Sequence, residues 1–102
     1  MPTPVPLQDH ALRELVFDIY VHRGGDDGPG EFFHANGVYQ RDGGHGAIVF
    51  EGSYGFRDGA ICVWGDGLAL LCRRVVDNGD GTYTFINTAD GTTATMFVAR
   101  PR

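Results

Sequence analysis

Clusters of glycine with aspartate, asparagine or proline divide most of this chain into short runs rich in Val, Ile, Phe, Tyr and Thr. Seven clusters occur, at 28–30, 36–37, 42–46, 58–59, 65–67, 77–81 and 90–91. Residues of these types suit tight hairpin turns, and the runs between them have strand composition. The pattern therefore predicts eight strands, near 16–22, 31–35, 38–42, 47–57, 60–64, 68–76, 82–88 and 93–100.

Short strands joined by tight turns, with no long crossover, predict an all-β antiparallel up-and-down meander. Such a meander removes its exposed edges by closing into a small barrel, completely or nearly so. The alternative is a strongly bent open sheet. Leu7, Ala11, Leu12 and Leu15 have helical spacing, which predicts one short N-terminal helix over 9–15 that caps or plugs one end. In the open-sheet alternative, the sheet packs on this helix.

Length and charge limit the organisation and the partners. The 102 residues form one domain, with an extended lead-in over 1–8, the helix over 9–15 and the meander over 16–100. The net charge of −5 disfavours nucleic acid and anionic membranes as partners. The N-terminus lacks the basic start and apolar core of a signal peptide. We expect a cytoplasmic protein, or a periplasmic or secreted one if an export signal has been removed.

Hairpin counting predicts which side chains face inward. A two-residue turn at 58–59 places Phe56 opposite Ile61 and Tyr54 opposite Val63. The same counting at 36–37 and 90–91 extends the set. The predicted interior comprises Phe33, Ala35, Val38, Ile48, Phe50, Tyr54, Phe56, Ile61, Val63, Tyr83, Phe85, Met96 and Val98. So many rings favour a mostly packed core with a small cavity near one rim.

The layout resembles the calycin-type barrels, lipocalins and avidins, in strand number and turn spacing. It lacks the Gly-x-Trp that lipocalins carry near the first strand, because its single tryptophan, Trp64, lies on the predicted fifth strand. Five short motifs carry a closer resemblance: FHANGVY (33–39), GSY (52–54), CV (62–63), CRRV (72–75) and DGTY (80–83). They resemble those of small uncharacterised bacterial β-meander domains with paired cysteines. This resemblance supports the fold and implies no function.

The longer, glycine-rich connections at 22–31 and 41–46 follow the first and third strands, so both lie at one end of the meander. Loop-rich rims are the usual binding sites of such barrels. This rim would present Asp26, Asp27, Glu31, His45 and Asp66. Alternatively, these residues only form solvent-exposed turns and have no binding function.

Strand alternation places either Arg73 or Arg74 inside, and a buried guanidinium needs a partner. That partner is a carboxylate such as Asp18 or Glu51, or else an acidic ligand. Our candidate ligand-binding residues are Arg73, Arg74, Tyr54 and His45.

No motif of nucleophilic or paired-carboxylate catalysis is evident, and we expect no enzyme and no cofactor. The four histidines lack metal-ligand spacing, and in DNGDGTY (77–83) the acids do not match a calcium loop. We therefore expect no metal. The sequence favours a non-catalytic barrel that binds a small molecule or short peptide. The alternative is an interaction module that forms a homodimer through an outer apolar face including Trp64, Leu70 and Phe97.

The two cysteines, Cys62 and Cys72, flank the turn at 65–67. A turn centred on Gly67 places them opposite each other on neighbouring strands, with Gly55 opposite Cys62, where a disulfide can form. A two-residue turn at 66–67 instead directs them to opposite faces. We predict the disulfide, against two reduced thiols. A metal pair is the weakest alternative because no third or fourth ligand is near in sequence.

Overall fold

A computed structural model describes residues 6–23, 30–43 and 47–99, apart from the side chain of Asp9. Helix α1 (Asp9–Leu15) precedes eight strands that form a closed antiparallel barrel in chain order. The strands are β1 (Ile19–His22), β2 (Gly30–Phe33), β3 (Val38–Asp42), β4 (Ile48–Arg57), β5 (Ala60–Gly65), β6 (Leu68–Asp77), β7 (Thr82–Asn87) and β8 (Thr93–Ala99). The predicted fold class is confirmed, and the open-sheet alternative is wrong because β1 pairs with β8.

The helix covers one end of the barrel. Leu12, Leu15 and Val16 are buried in the core cluster. The backbone N–H of Leu7 donates to the carbonyl of Val75 at 2.7 Å, which ties the chain before the helix to β6. The connections after β1, β3, β5 and β7 lie at the other end, as the meander order requires. The helix therefore leaves the loop-rich rim uncovered. Within the described residues, no helix has both the length and the apolar composition to cross a bilayer.

The predicted register is confirmed at the turn between β4 and β5. Phe56 pairs with Ile61 and Tyr54 with Val63, and both Asp58 and Gly59 have positive φ, at 51° and 78°. Positive φ at both central residues matches the twist of a two-residue hairpin. Ile61 and Val63 are fully buried as expected.

The predicted register at 36–37 is wrong by one residue. Phe33 pairs with Tyr39, because the loop contains the three residues 35–37 rather than two. The N–H of His34 donates to the carbonyl of Val38 at 2.9 Å and closes this loop. Tyr39 is therefore the fully buried residue of β3, whereas Val38 is only half-buried and Ala35 is exposed.

Ile48 is a second correction, because it is 46% exposed. Arg41 pairs with Phe50, but the next residue of β3, Asp42, pairs with Ile48. Val49 is thus an extra residue on β4, a bulge that reverses the alternation beyond it. Ile48 turns away from the interior for this reason.

The cysteines lie opposite each other, with their sulfur atoms at disulfide distance, 2.12 Å. The turn is nevertheless the two-residue 66–67, because Gly65 pairs with Leu68. Between that pair and the Val63–Leu71 pair, β6 contains one residue more than β5, and this bulge restores the alignment of Cys62 with Cys72. Cys62 is buried, with only 3% of its surface exposed.

Candidate functional site

A cavity of about 660 Å³ lies at the uncovered end of the barrel. Its lining comes from β1, β2, β3, β4, β6, β7 and β8 and from residues beside these strands. The apolar part of the lining consists of Val21, Val49, Leu71, Phe85, Ala94 and Met96. The charged part consists of Arg23, Glu31, Arg41, Asp42 and Arg73. The cavity thus combines an apolar wall with a charged cluster at the rim where the loop lengths predicted a site.

Glu31 and Arg73 form a buried, bidentate ion pair across the barrel interior. Arg73 Nη2 donates to Glu31 Oε1 at 2.6 Å, and Nη1 donates to Oε2 at 3.0 Å. Their side chains are only 11% and 10% exposed. Alternation along β6 directs Arg73 inward together with Leu71, and Glu31 reaches it from β2. A pair this deeply buried is held by good geometry rather than by charge alone.

Two further polar side chains extend this pair. The Tyr39 hydroxyl donates to Glu31 Oε1, and Arg41 Nε donates to the Tyr39 oxygen at 2.8 Å. Tyr39 and Arg41 are two residues apart on β3, so they face the same side of the strand. The resulting chain runs from Arg41 through Tyr39 and Glu31 to Arg73. It alternates donors and acceptors, so every link is satisfied in one arrangement.

The network sets the protonation of its members. Burial raises the pKa of Glu31, but the hydrogen bonds and positive charge of Arg73 lower it by more, and the net pKa lies below the usual carboxyl range. Burial lowers the pKa of Arg73, and Glu31 more than reverses this. Burial and the Glu31 charge raise the pKa of the Tyr39 phenol well above its ordinary value. Glu31 is therefore ionised, and Tyr39 and Arg73 are protonated, throughout the neutral range.

One donor of Arg73 is left over. Its Nε is buried and has no hydrogen-bond partner among the described residues. Its guanidinium carbon lies 5.2 Å from the ring centroid of Phe85, which gives the cation an aromatic face. An unmet buried donor costs about 1–3 kcal/mol, and such groups in native proteins need an explanation. The Arg73 Nε is therefore an unmet polar group beside the cavity.

The predicted ligand-binding residues do not all meet at this site. Arg73 lies in the cavity lining, as the inward member of its pair of arginines. Arg74 faces outward and packs against Gly59 at the turn between β4 and β5. Tyr54 contacts Phe33 in the interior and donates to the carbonyl of His34 at 2.5 Å, away from the cavity lining. The predicted residues His45, Asp26 and Asp27 lie outside the described part of the chain.

The inward arginine has a carboxylate partner, as one of the two alternatives predicted, but the two carboxylates named as examples were wrong. Arg73 pairs with Glu31, not with Asp18 or Glu51. Sequence reasoning named Glu31 only as a rim acid, and it missed Arg41 and Tyr39. Arg41 and Tyr39 were missed because the loop was predicted to contain two residues, at 36–37. It contains three, at 35–37, and both side chains therefore face inward.

Other candidate sites have local structural roles. Asp80 Oδ1 accepts from the N–H and the hydroxyl of Thr82 at 3.0 and 2.6 Å, which closes the turn that superficially resembles a calcium loop. The same arrangement recurs between Asp90 and Thr92. These hydrogen bonds lower the pKa of both aspartates. Within the described ranges, no three His, Cys, Asp or Glu side chains are grouped to hold a metal ion.

The outer apolar face predicted for a homodimer is only partly continuous. Trp64 and Leu70 are 43% and 57% exposed on the adjacent strands β5 and β6. Phe97 is 44% exposed, but it lies on β8, where its ring stacks on His22 at 5.6 Å between centroids. Phe97 therefore belongs to a different part of the outer surface.

Comparisons with known proteins place no further constraint on the site. No family model, no curated protein and no solved structure matches this chain. The resemblance to bacterial β-meander domains and to calycins stays a prediction. The function has to be argued from the cavity itself.

Proposed function

We propose that this protein is a non-catalytic binding barrel that holds a small organic molecule in the rim cavity. The observation that carries the proposal is the 660 Å³ cavity, with its apolar wall and charged cluster. Sites for small organic ligands occupy about 300–1,000 Å³ and combine an apolar lining with a few fixed polar groups. The mouth of an eight-stranded barrel has room for one such ligand.

The protonation of the charged cluster favours binding over catalysis. A general acid or base works best with a pKa near the operating pH. The pair shifts the pKa of Glu31 down and that of Arg73 up, and burial raises that of Tyr39. None of these three groups is poised to exchange a proton near pH 7. They can orient a ligand by hydrogen bonding and charge.

A thermal-shift screen against a metabolite library, followed by backbone-amide NMR mapping of the hits, tests this proposal. Leu71 lines the cavity, whereas its neighbour Leu70 points outward. We expect Leu71→Trp, which places an indole ring in the cavity, to weaken binding, and the matched control Leu70→Trp to retain it. Hits that map away from the cavity, or that bind both variants equally, would contradict the proposal.

The exposed neighbours Trp64 and Leu70 favour the alternative of a homodimer. Size exclusion with light scattering over a concentration series tests it. A dimer that Leu70→Glu dissociates, with Thr95→Glu as an exposed control on β8, would support this role. A monomer at all concentrations would rule it out.

A further inference from the structure

We propose that the ligand is an amphipathic monocarboxylate and that Arg41, rather than Arg73, anchors its carboxylate. This inference rests on the proposed function and names the ligand class for the same cavity. Four features of the lining support it: the terminal nitrogens of Arg73, which already donate to Glu31, the open donors of Arg41, the net charge of the lining, and its apolar wall.

The terminal nitrogens of Arg73 are not available for a bidentate anchor, and its Nε, unpaired among the described residues, is a single buried N–H. Both of its terminal nitrogens donate to Glu31, one to each carboxylate oxygen. A ligand carboxylate at this position would have to displace Glu31, which would then be a buried charge without its partner. The pair therefore acts as a neutral floor of the cavity.

Arg41 has the free donors. Its Nε donates to the Tyr39 hydroxyl at 2.8 Å, which leaves both terminal nitrogens without a hydrogen-bond partner among the described residues. Its guanidinium carbon lies 5.8 and 5.9 Å from the ring centroids of Tyr39 and Phe50. The guanidinium is thus held on one side and open on the other. A planar fork of two free N–H groups matches a carboxylate in bidentate geometry.

The charge of the lining favours a monoanion. Among the described lining residues, Arg23, Arg41 and Arg73 contribute three positive charges, and Glu31 and Asp42 contribute two negative ones. The formal sum of +1 is balanced by one carboxylate. A phosphate dianion would add a second negative charge beside two carboxylates, which like-charge repulsion opposes.

The other walls require an apolar body on the ligand. Val21, Leu71, Phe85, Ala94 and Met96 line the cavity beside the charged cluster. A small hydrophilic anion would leave these side chains in contact with water. A hydrocarbon chain or ring attached to the carboxylate buries them, at about 25 cal/mol per Å² of apolar surface removed from water.

Isothermal titration with three eight-carbon probes tests the inference: sodium octanoate, 1-octanol and octyl phosphate. We expect octanoate to bind more tightly than the other two. Arg41→Gln should weaken octanoate at least about tenfold, the value of one charge-assisted hydrogen-bond pair, and leave octanol within about twofold. Arg41→Lys keeps the charge without the fork and should recover only part of the loss. Arg57→Gln, which changes an exposed arginine at the end of β4, is the control for net charge.

The outcomes separate this inference from the proposed function. If octanoate and octanol bind equally and Arg41→Gln weakens neither, the cavity binds ligands but the anchor is wrong. If no carboxylate binds and the library screen finds a neutral or cationic ligand in the cavity, the ligand class is wrong and the proposed function stands. If neither the probes nor the library gives a ligand whose binding Leu71→Trp weakens, both are wrong. Unfolding curves for each Arg41 variant show whether a loss of binding comes from loss of the fold.

Discussion

Removing the charge of Glu31 is the most direct test of how this barrel is held together at its open end. Glu31→Gln keeps the size and shape of the side chain, and it keeps one oxygen that can accept from Arg73 or Tyr39. It removes the only carboxylate that pairs with the Arg73 guanidinium among the described residues. The arginine stays buried, at 9% exposure, without a compensating charge.

The expected loss of stability follows from that burial. Breaking one member of a buried pair costs about 3–5 kcal/mol, because the remaining ion has lost both water and partner. The retained amide oxygen places Glu31→Gln at the lower end, about 3 kcal/mol. Domains of this size have total stabilities of about 5–15 kcal/mol, so the variant should be folded but clearly weakened.

Replacing both partners should cost far less. In Glu31→Gln with Arg73→Met, no buried charge remains, and we expect the double variant to recover at least about half of the loss. Urea unfolding followed by circular dichroism measures the wild type, Glu31→Gln and the double variant. Glu51→Gln, an exposed carboxylate on β4, is the control and should change stability by less than about 0.5 kcal/mol.

The stability cost of Glu31→Gln should depend on pH. The folded pKa of Glu31 lies below its unfolded value, so its contribution is fully present above the unfolded pKa and is lost as the pH falls through the folded one. The stability difference between wild type and Glu31→Gln should be constant from about pH 8 to 5.5 and shrink below about pH 4. A cost under about 1 kcal/mol at pH 7, or a double variant no more stable than Glu31→Gln, would refute the reasoning.

Three further predictions concern the rest of the barrel. Replacing both cysteines with alanine should lower the free energy of unfolding by about 3 kcal/mol under non-reducing conditions, because the disulfide closes a loop with sequence separation 10 and so restricts the unfolded chain. Intact mass after alkylation should show no free thiols in the wild type. Gly52→Ala should cost about 1–3 kcal/mol because its Cβ would meet the backbone oxygen of Trp64. In Gly55→Ala the Cβ meets only the six-membered ring of the Trp64 indole, and the cost should be below about 1 kcal/mol. Urea unfolding measures both. Leu12→Ala should cost about 2–5 kcal/mol by the same assay because Leu12 is fully buried where the helix closes the barrel, and a loss below about 1 kcal/mol would mean that the helix does not seal that end.

The strand count was predictable from the sequence because turn chemistry is local. Positive φ at Gly37, Gly59, Gly67 and Gly91 is a property of single residues, and each marks a connection. The mutual order of the strands follows because each turn is too short for anything except an antiparallel neighbour. Closure between β1 and β8 then satisfies the two remaining edges.

Register was not predictable at the same level. Hairpin loops of two and three residues have similar compositions. A one-residue difference in loop length nevertheless moves every side chain of the following strand to the opposite face of the sheet. The predicted two-residue loop placed Val38 rather than Tyr39 on the inner face of β3. It also placed Arg41 on the outer face. One residue of loop length therefore concealed both Arg41 and its hydrogen-bond partner Tyr39.

The buried pair shows a second limit. Alternation predicted an inward arginine on β6, because it depends only on neighbours along one strand. Its partner is 42 residues away, on a strand that comes close to it only across the closed barrel. Such a contact depends on how all the strands twist and stagger together, which no local pattern records.

The bulge at Val49 connects the register of the barrel to its cavity. If Val49 paired with Asp42 and there were no bulge, strict alternation from Phe50 would direct Ile48 toward the mouth of the barrel. The bulge instead pairs Ile48 with Asp42, leaves it 46% exposed, and places Val49 against Gly43 at the edge of the cavity. Bulges at barrel rims bend the strand and re-aim side chains in this way. The open cavity therefore does not result from a shortage of large residues, since the core contains many. The bulge keeps an isoleucine out of the mouth and places Val49 in the cavity lining instead.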